Sequence, residues 1–207
     1  MALDLQEQEE LENAKRAWKT WGRWVFAVLL VCALVYFGNI LWKNHIAAQN
    51  EQAVDLMASD FTPKALSGDT AGALKALQTL QQKYPKTVAT AQATLNTAGN
   101  AFLQGKYDEA AQHLQWLAAH QKDPAVHALV LRQLATVYLQ QKKYDEALAV
   151  LSEKVEPEFS ARAEELKGDI YLAQGKQAEA RAAFQAALQQ LPENDQTREF
   201  IEAKSKL

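Results

Sequence analysis

The chain has 207 residues, with 22 Lys and Arg against 25 Asp and Glu and a formal net charge of −3. This balance lacks the basic footprint of a nucleic-acid-binding protein, so that class is excluded. A single cysteine rules out a disulfide within the chain, and many Ala, Gln and Leu residues beside only 8 Gly and 5 Pro predict an all-α fold with short turns.

The N-terminal tail, residues 1–22, is predicted to contain an amphipathic helix. Leu11, Ala14, Trp18 and Trp21 recur at steps of three and four residues and form one apolar stripe. The stripe leads into a longer apolar run, so the helix is expected to lie along the inner leaflet of a membrane or to enter it. The tail is either a solvated lead-in without partners or a docking segment, and both readings stay open.

A transmembrane helix over residues 23–43 organises the rest of the chain. Residues 24–42 read WVFAVLLVCALVYFGNILW, which holds nineteen residues without a charge. At 1.5 Å per residue, a helix of this length nearly crosses a hydrocarbon core of ~30 Å. Trp24 and Trp42 mark the ends of this membrane anchor, because indole rings prefer the membrane interface. A buried core helix is the alternative, but such helices rarely run this far without a polar face.

The basic residues around the span predict its orientation. Four Lys and Arg residues lie within positions 15–23, whereas only Lys43 closely follows the span. By the positive-inside rule, the tail stays in the cytoplasm and residues 44–207 form a domain outside. A cleaved signal peptide is the alternative, but its apolar region is only about 7–15 residues long. We therefore expect an uncleaved single-pass anchor, and its lack of ionisable groups argues against a transport role.

Four stretches of the outer domain align on one alanine and form an internal repeat. The aligned residues are Ala73, Ala110, Ala147 and Ala180, spaced by 37, 37 and 33 residues. Tetratricopeptide repeats have about 34 residues and two helices each, so the pattern predicts a tetratricopeptide-repeat-like α-solenoid. Glycine stands five residues before three of these alanines, where a left-handed turn conformation is expected, and a large apolar residue follows each alanine by four.

The two ends of this domain carry their own signals. Residues 44–59 keep helix-forming side chains, so the helix of the span should continue outward until Pro63 ends it. At the other end, residues 195–204 should form a capping helix that covers the last repeat with Phe200 and Ile201.

The candidates for a metal site are the four histidines, His45, His113, His120 and His127. The last three recur every seven residues, but Asp123-Pro124 interrupts the helix between two of them. No cysteine or carboxylate cluster completes a set of metal ligands, and no phosphate loop, nucleophile elbow or zinc-protease motif occurs. We therefore expect surface histidines, no catalytic residue, no cofactor and no small-molecule substrate. An enzyme or metal carrier that uses the histidines is the alternative from a different class.

A protein-binding groove is expected on the concave face of the solenoid, along the first helix of each pair. Its mixed apolar and charged residues suit an extended segment or a partner helix, although several of them could instead pack between repeats. The Lys/Asn clamp with which some tetratricopeptide domains grip chaperone C-termini is absent. Helical phase gives these groove residues: Gln92, Leu95, Phe102, Leu103, Leu129, Arg132, Thr136, Leu139, Gln140, Arg162, Glu165, Asp169 and Leu172.

The layout of tail, span and repeat domain resembles the ancillary SecYEG translocon subunit family of Gram-negative bacteria, of the YfgM type. The resemblance includes the LRQLA segment at residues 131–135, the ELKGD segment at residues 165–169, and the later Gly175-Lys176 and Ala180-Arg181 pairs. It implies an inner-membrane protein with a cytoplasmic N-terminus and a periplasmic C-terminal domain. Such a protein would associate with the SecYEG translocon and a PpiD-type periplasmic chaperone.

The resemblance also implies a function without catalysis, in which the protein helps to hand exported chains to periplasmic chaperones. A scaffold for another envelope machine shares every physical feature of the sequence and is the alternative. Outer-membrane assembly, cell division and cytochrome maturation are the processes that such a scaffold could serve.

Overall fold

A computed structural model describes the backbone of residues 2–206 and the side chains of these residues except 2–8, 14, 17, 20 and 23. The stripe residue Ala14 and the flanking Arg23 therefore fall outside the described side chains. Every regular element in the described range is a helix, which confirms the all-α prediction. The chain forms two compact units, residues 1–51 and 52–207.

The first unit is built from one helix, α1 (Ala2–Leu56), which continues into the second unit. No described residue of its apolar stretch is buried. Trp24 and Trp42, at the ends of the charge-free run, are 68% and 65% exposed. A helix of this length and composition can cross a membrane, with its apolar side chains directed outward toward lipid.

Helix α1 and its continuation do not end at Pro63, where the sequence predicted an end. After α1 the chain continues through a π-helix (Met57–Phe61) directly into α2 (Thr62–Ser67). The Thr62 backbone N–H donates to the Met57 carbonyl, five residues back. Because the π turn shifts the bonding by one residue, Pro63 falls in the first turn of α2, where its missing N–H costs nothing. The expectation that Pro63 ends the helix was therefore wrong.

The second unit continues as a series of helix pairs along the chain, in which each helix packs against the next. Phe61 of the π-helix is buried with the first of these helices, and the later pairs are α4 with α5, α6 with α7 and α8 with α9. The helices are α3 (Thr70–Lys83), α4 (Val88–Leu103), α5 (Tyr107–His120), α6 (Pro124–Gln140), α7 (Tyr144–Leu151), α8 (Pro157–Ala173), α9 (Gln177–Gln190) and α10 (Arg198–Ser205).

Small residues hold the paired helices close together, as the aligned alanines predicted. All four aligned alanines are buried, and so is each large apolar residue four positions later. The helices of one pair approach closely at Gly168 in α8, where an added Cβ would lie 2.4 Å from Cε1 of Phe184 in α9. Phe184 is itself 0% exposed. A side chain at position 168 would therefore have to displace a ring that has no free space to move into.

The turns inside the pairs use the left-handed conformation expected of glycine. Gly68, Gly105 and Gly175 have φ angles of 79°, 74° and 76°. The third repeat has Lys142 at the aligned position, with a φ of 58°. Since a side chain makes this conformation costly, the third repeat carries a local strain that the other three turns avoid.

The C-terminal helix α10 caps the last repeat, but only one of the two side chains expected to cover the repeat is buried. Ile201 is fully buried in a cluster with Ala180, Phe184 and Ala187 of α9. Phe200, which was expected to cover the repeat as well, is 59% exposed. At helical spacing two consecutive residues lie about 100° apart around the axis, so a short helix that seats one of them turns the other outward.

Candidate protein-binding groove

The leading helices α4 and α6 leave an open cavity between them, which we call the α4–α6 cleft. Leu95 and Phe102 of α4, Leu114 of α5 and Val137 of α6 give it apolar walls and floor. Its volume is about 260 Å³. Gly99 lies at the mouth of the cleft, where an added Cβ would meet no atom within 4 Å. The cleft is therefore open because one face of α4 lacks side-chain bulk.

Arg132 lies at the polar edge of this cleft, beside Gln133 and Thr136. It is exposed, and within the described residues its guanidinium has no hydrogen bond and no ion pair. The Thr136 hydroxyl donates to the Arg132 carbonyl at 2.9 Å, so this bond stays within α6 and leaves the guanidinium free. Arg132 also lines a second cavity of about 220 Å³ between α6 and α8, together with Leu129.

In α8, the predicted groove residues Arg162, Glu165 and Asp169 already pair with the C-terminal segment. Lys204 of α10 donates to both carboxylate oxygens of Asp169, at 2.8 and 2.9 Å, and lies 3.6 Å from Glu165. Arg162 contacts Glu165 at 3.2 Å and Asp195 at 3.6 Å. The charged groove residues of α8 are thus occupied by the chain itself, unlike Arg132 of α6.

Asp195 lies just before α10, the helix whose Lys204 pairs with the charged residues of α8. The Thr197 hydroxyl and backbone N–H donate to its carboxylate, and these hydrogen bonds lower the pKa of Asp195 below its ordinary value. The charges of Arg162 and Arg198 act in the same direction. The carboxylate therefore stays ionised and fixes the lead-in to α10.

Other predicted groove residues divide between packing and open surface. Leu139 packs against a buried cluster that includes Ala147, and Leu172 packs against the cluster around Phe184, so both stabilise the solenoid. The remaining three lie toward solvent: Gln92, which bonds Asn96 at 2.9 Å, Gln140, and Leu103, which is 83% exposed. The binding role of the thirteen residues stays a prediction, but the structure brings Leu95, Phe102, Arg132 and Thr136 together around one cavity.

The predicted groove residues did not include Gly99, Leu114 and Val137, which line the cleft. Gly99 carried a usable signal, because a glycine inside a helix costs about 1 kcal/mol relative to alanine and therefore indicates a close approach or an open face. Leu114 was assigned only to the repeat core, and Val137 follows the predicted Thr136 by one residue.

None of the four histidines is among the residues that line this cleft. His113 is half-buried in α5, and this burial lowers its pKa. His120 stacks on Trp116 with ring centroids 4.1 Å apart, and Nε2 of His127 lies 3.6 Å from a carboxylate oxygen of Glu153. Within the described residues, no group of three or more His, Cys, Asp or Glu side chains is arranged to hold a metal ion.

Comparison with known proteins agrees with the helical architecture. Residues 15–206 match the model of the tetratricopeptide repeat-like domain family. An ancillary SecYEG translocon subunit of Neisseria gonorrhoeae is 42% identical over 205 residues, which cover 99% of this chain and 98% of that protein. A protein of the same name from Haemophilus influenzae is 26% identical over 189 residues, covering 91% and 92%.

Among solved structures, the crystal structure of MamA aligns with 70% of this chain and 89% of its own, at 16% identity and a TM-score of 0.46. The assignment rests on the sequence relatives rather than on that alignment. With 42% identity to one relative along almost the full length of both proteins, the chain belongs to the family of ancillary SecYEG translocon subunits.

Proposed function

We propose that this protein is an inner-membrane scaffold that associates with the SecYEG translocon on the periplasmic side. In this proposal residues 1–22 are a cytoplasmic tail, residues 23–43 are an uncleaved membrane anchor and residues 44–207 are the periplasmic domain. The names of the relatives support the partner, and the basic residues before the span support the orientation. The exposed apolar surface of α1 supports the anchor.

The observation that carries the scaffold function is the open α4–α6 cleft. A repeat domain that lines its leading helices with an accessible apolar cavity can hold a segment of another protein. The proposed occupants are a PpiD-type periplasmic chaperone and exported chains, and the proposal includes no catalytic step. Anchoring beside the channel raises the local concentration of the binding surface, so weak contacts with exported chains suffice.

Isolation of the tagged full-length chain from membranes in a mild detergent tests the partners. We expect the translocon and a PpiD-type chaperone to co-purify in amounts comparable to the bait. If proteins of outer-membrane assembly, cell division or cytochrome maturation co-purify instead, the scaffold serves another envelope machine and the proposal fails.

A reporter fused to Leu207 tests the orientation. An enzyme that is active only in the periplasm should be active in this fusion, whereas a reporter that works only in the cytosol should be inactive. The opposite pattern would place the repeat domain on the wrong side to meet exported proteins. Migration of the mature chain at its full 23.1 kDa would separately verify that the anchor is uncleaved.

A further inference from the structure

We propose that the α4–α6 cleft binds a partner segment in which a large apolar side chain stands near an Asp or Glu. The apolar side chain enters the cleft, and the carboxylate pairs with Arg132. This inference rests on the proposed scaffold function and specifies the chemistry of the segment that the scaffold holds.

The size of the cleft suits the insertion of one large side chain. Its volume of about 260 Å³ lies at the lower end of the roughly 300–1,000 Å³ of typical ligand pockets. Leu95, Phe102, Leu114 and Val137 offer an apolar lining, so the inserted group must also be apolar. Buried anchors of this kind, filling a pocket at the centre of an interface, contribute much of the binding energy between proteins.

The positive charge of Arg132 beside the cleft indicates which second group the bound segment carries. Arg132 is the one charged residue among those that line the cleft in the described part of the chain. A guanidinium presents a planar fork of donors that matches a carboxylate in a bidentate pair. Because the Arg132 guanidinium makes no ion pair within the described residues, a partner with a carboxylate can form one, whereas a lysine at the same place is repelled.

An uncharged surface of mixed apolar and polar residues continues across α4 beyond the cleft. On the opposite side of Leu95 and Gly99, a second depression is lined by Leu66 of α2 and Leu103 of α4, each 83% exposed. Within the described side chains, none of the residues lining this depression is charged. The bound segment can therefore cross α4 at Gly99 and remain uncharged on the far side, with its acidic residue confined to the side of Arg132.

At the C-terminal end of the same domain, α10 is held against α8 and α9 by a similar combination of an apolar anchor and charged contacts. Helix α10 docks by burying Ile201 and by pairing Lys204 with Asp169 and Glu165 of α8. An apolar anchor and charged side chains, which include Arg198 donating to the Leu188 and Leu191 carbonyls, thus hold a helix against the solenoid. At the α4–α6 cleft the charge is reversed, so the complementary segment carries an acid.

A peptide array supplies the probes. Each peptide has a Ser/Gly background, an amidated C-terminus, one Phe, and an Asp, Asn or Lys placed one to six positions from it. The full-length chain in neutral-lipid nanodiscs is the binding protein. We expect Asp peptides of at least one spacing to bind about tenfold more tightly than the matched Lys peptides, and peptides without Phe to lose binding.

Variants of the chain locate the site. Arg132→Glu should invert the preference, so that Lys peptides bind more tightly, and Arg132→Lys should keep the preference for Asp. Arg181→Glu, at an exposed position of α9, is the matched charge control and should change nothing. Gly99→Leu should weaken binding of every Phe peptide while the domain stays folded, because its side chain enters open space at the mouth of the cleft.

Several results would overturn this inference: no binding at any spacing, equal affinity for Asp and Lys peptides, or a preference that survives Arg132→Glu. Loss of the Asp preference in anionic nanodiscs would show that a lipid phosphate occupies Arg132 and would also overturn it. Binding by free-acid peptides without Asp would instead indicate a terminal carboxylate and contradict the assignment to a side chain.

The inference and the scaffold function can fail separately. If the translocon co-purifies with the chain but the array shows no charge preference, the scaffold function stands and the chemistry assigned to the cleft is wrong. If the array shows the preference but the translocon does not co-purify, the cleft binds as inferred and the proposed partner is wrong.

Discussion

The two ends of the repeat domain use the same leading-helix surface in opposite ways. At α4 and α6 the surface is open, with a cavity between the helices and an unpaired Arg132 at its edge in the described chain. At α8 the charged residues of that surface are bound by α10, chiefly through Lys204. We infer that one end is available to a partner, whereas the other end is committed to stability.

The glycines of α4 and α8 give the largest test of this difference. Gly168→Val should destabilise the domain by about 3 kcal/mol, because its Cβ would lie 2.4 Å from the buried Phe184 ring. Gly99→Val should change stability by less than about 1 kcal/mol, since its Cβ meets open space. Thermal unfolding of both variants measures the contrast, with a decrease in Tm of roughly 6–12 °C expected for Gly168→Val alone. Equal Tm values would contradict it.

Removal of the charge that closes the α8 surface should have the next largest effect. Lys204→Ala leaves the carboxylates of Asp169 and Glu165 without their shared cation and should cost about 2 kcal/mol in denaturant unfolding. Lys206→Ala, at an exposed position two residues later, is the matched control and should be neutral. If the two variants unfold alike, the contacts of α10 with α8 do not hold the closed end together.

The turn of the third repeat offers a gain in stability between the two ends. Lys142→Gly should raise stability by about 1 kcal/mol, because its φ of 58° strains a side chain but not a glycine. Gly175→Ala, at the aligned turn of the fourth repeat with a φ of 76°, should lose a similar amount. A change of the same sign in both variants would contradict the shared turn conformation.

The smallest expected effect is a pH dependence confined to the closed end. The hydrogen bonds from Thr197 lower the pKa of Asp195 in the folded state, so the folded state binds its proton less readily than the unfolded chain. Its contribution to stability is therefore present above about pH 4 and is lost as the pH falls through the lowered pKa. Asp195→Asn should flatten the curve of urea midpoint against pH below about pH 4.

Asp145→Asn, at an exposed position of α7, is the control for this measurement and should leave that curve unchanged. Identical curves for the Asp195 variant and the original chain would mean that the carboxylate does not stabilise the lead-in to α10.

The repeat was predictable from the sequence because its signals are local. An alanine at a helix crossing and a glycine at φ near 75° each follow from one or two neighbouring residues, and the structure confirms both. The open and closed ends were not predictable in this way. The capping helix itself was predicted, but Lys204 and Asp169 are 35 residues apart, and no pattern of spacing in the sequence indicates that they pair.

The π-helix shows the same limit at the start of the domain. The rule that proline ends a helix considers only the local backbone, and it predicted an end at Pro63. Phe61 is buried against α3 and α4, so tertiary packing favours a continuous helix through Met57–Phe61. The extra residue in that turn moves Pro63 to a position where its ring is tolerated.

The position of α10 also limits where further repeats can be added to the solenoid. Helix α10 packs on α9, and its Lys204 reaches α8. It therefore occupies the place that the first helix of a fifth unit would need. Duplication of a unit at the C-terminal end would leave Ile201 and Lys204 displaced from their seats, whereas an extra unit inserted upstream would not disturb them. Growth of such a solenoid by tandem copying should therefore occur internally, with the last helix carried along unchanged as a stop.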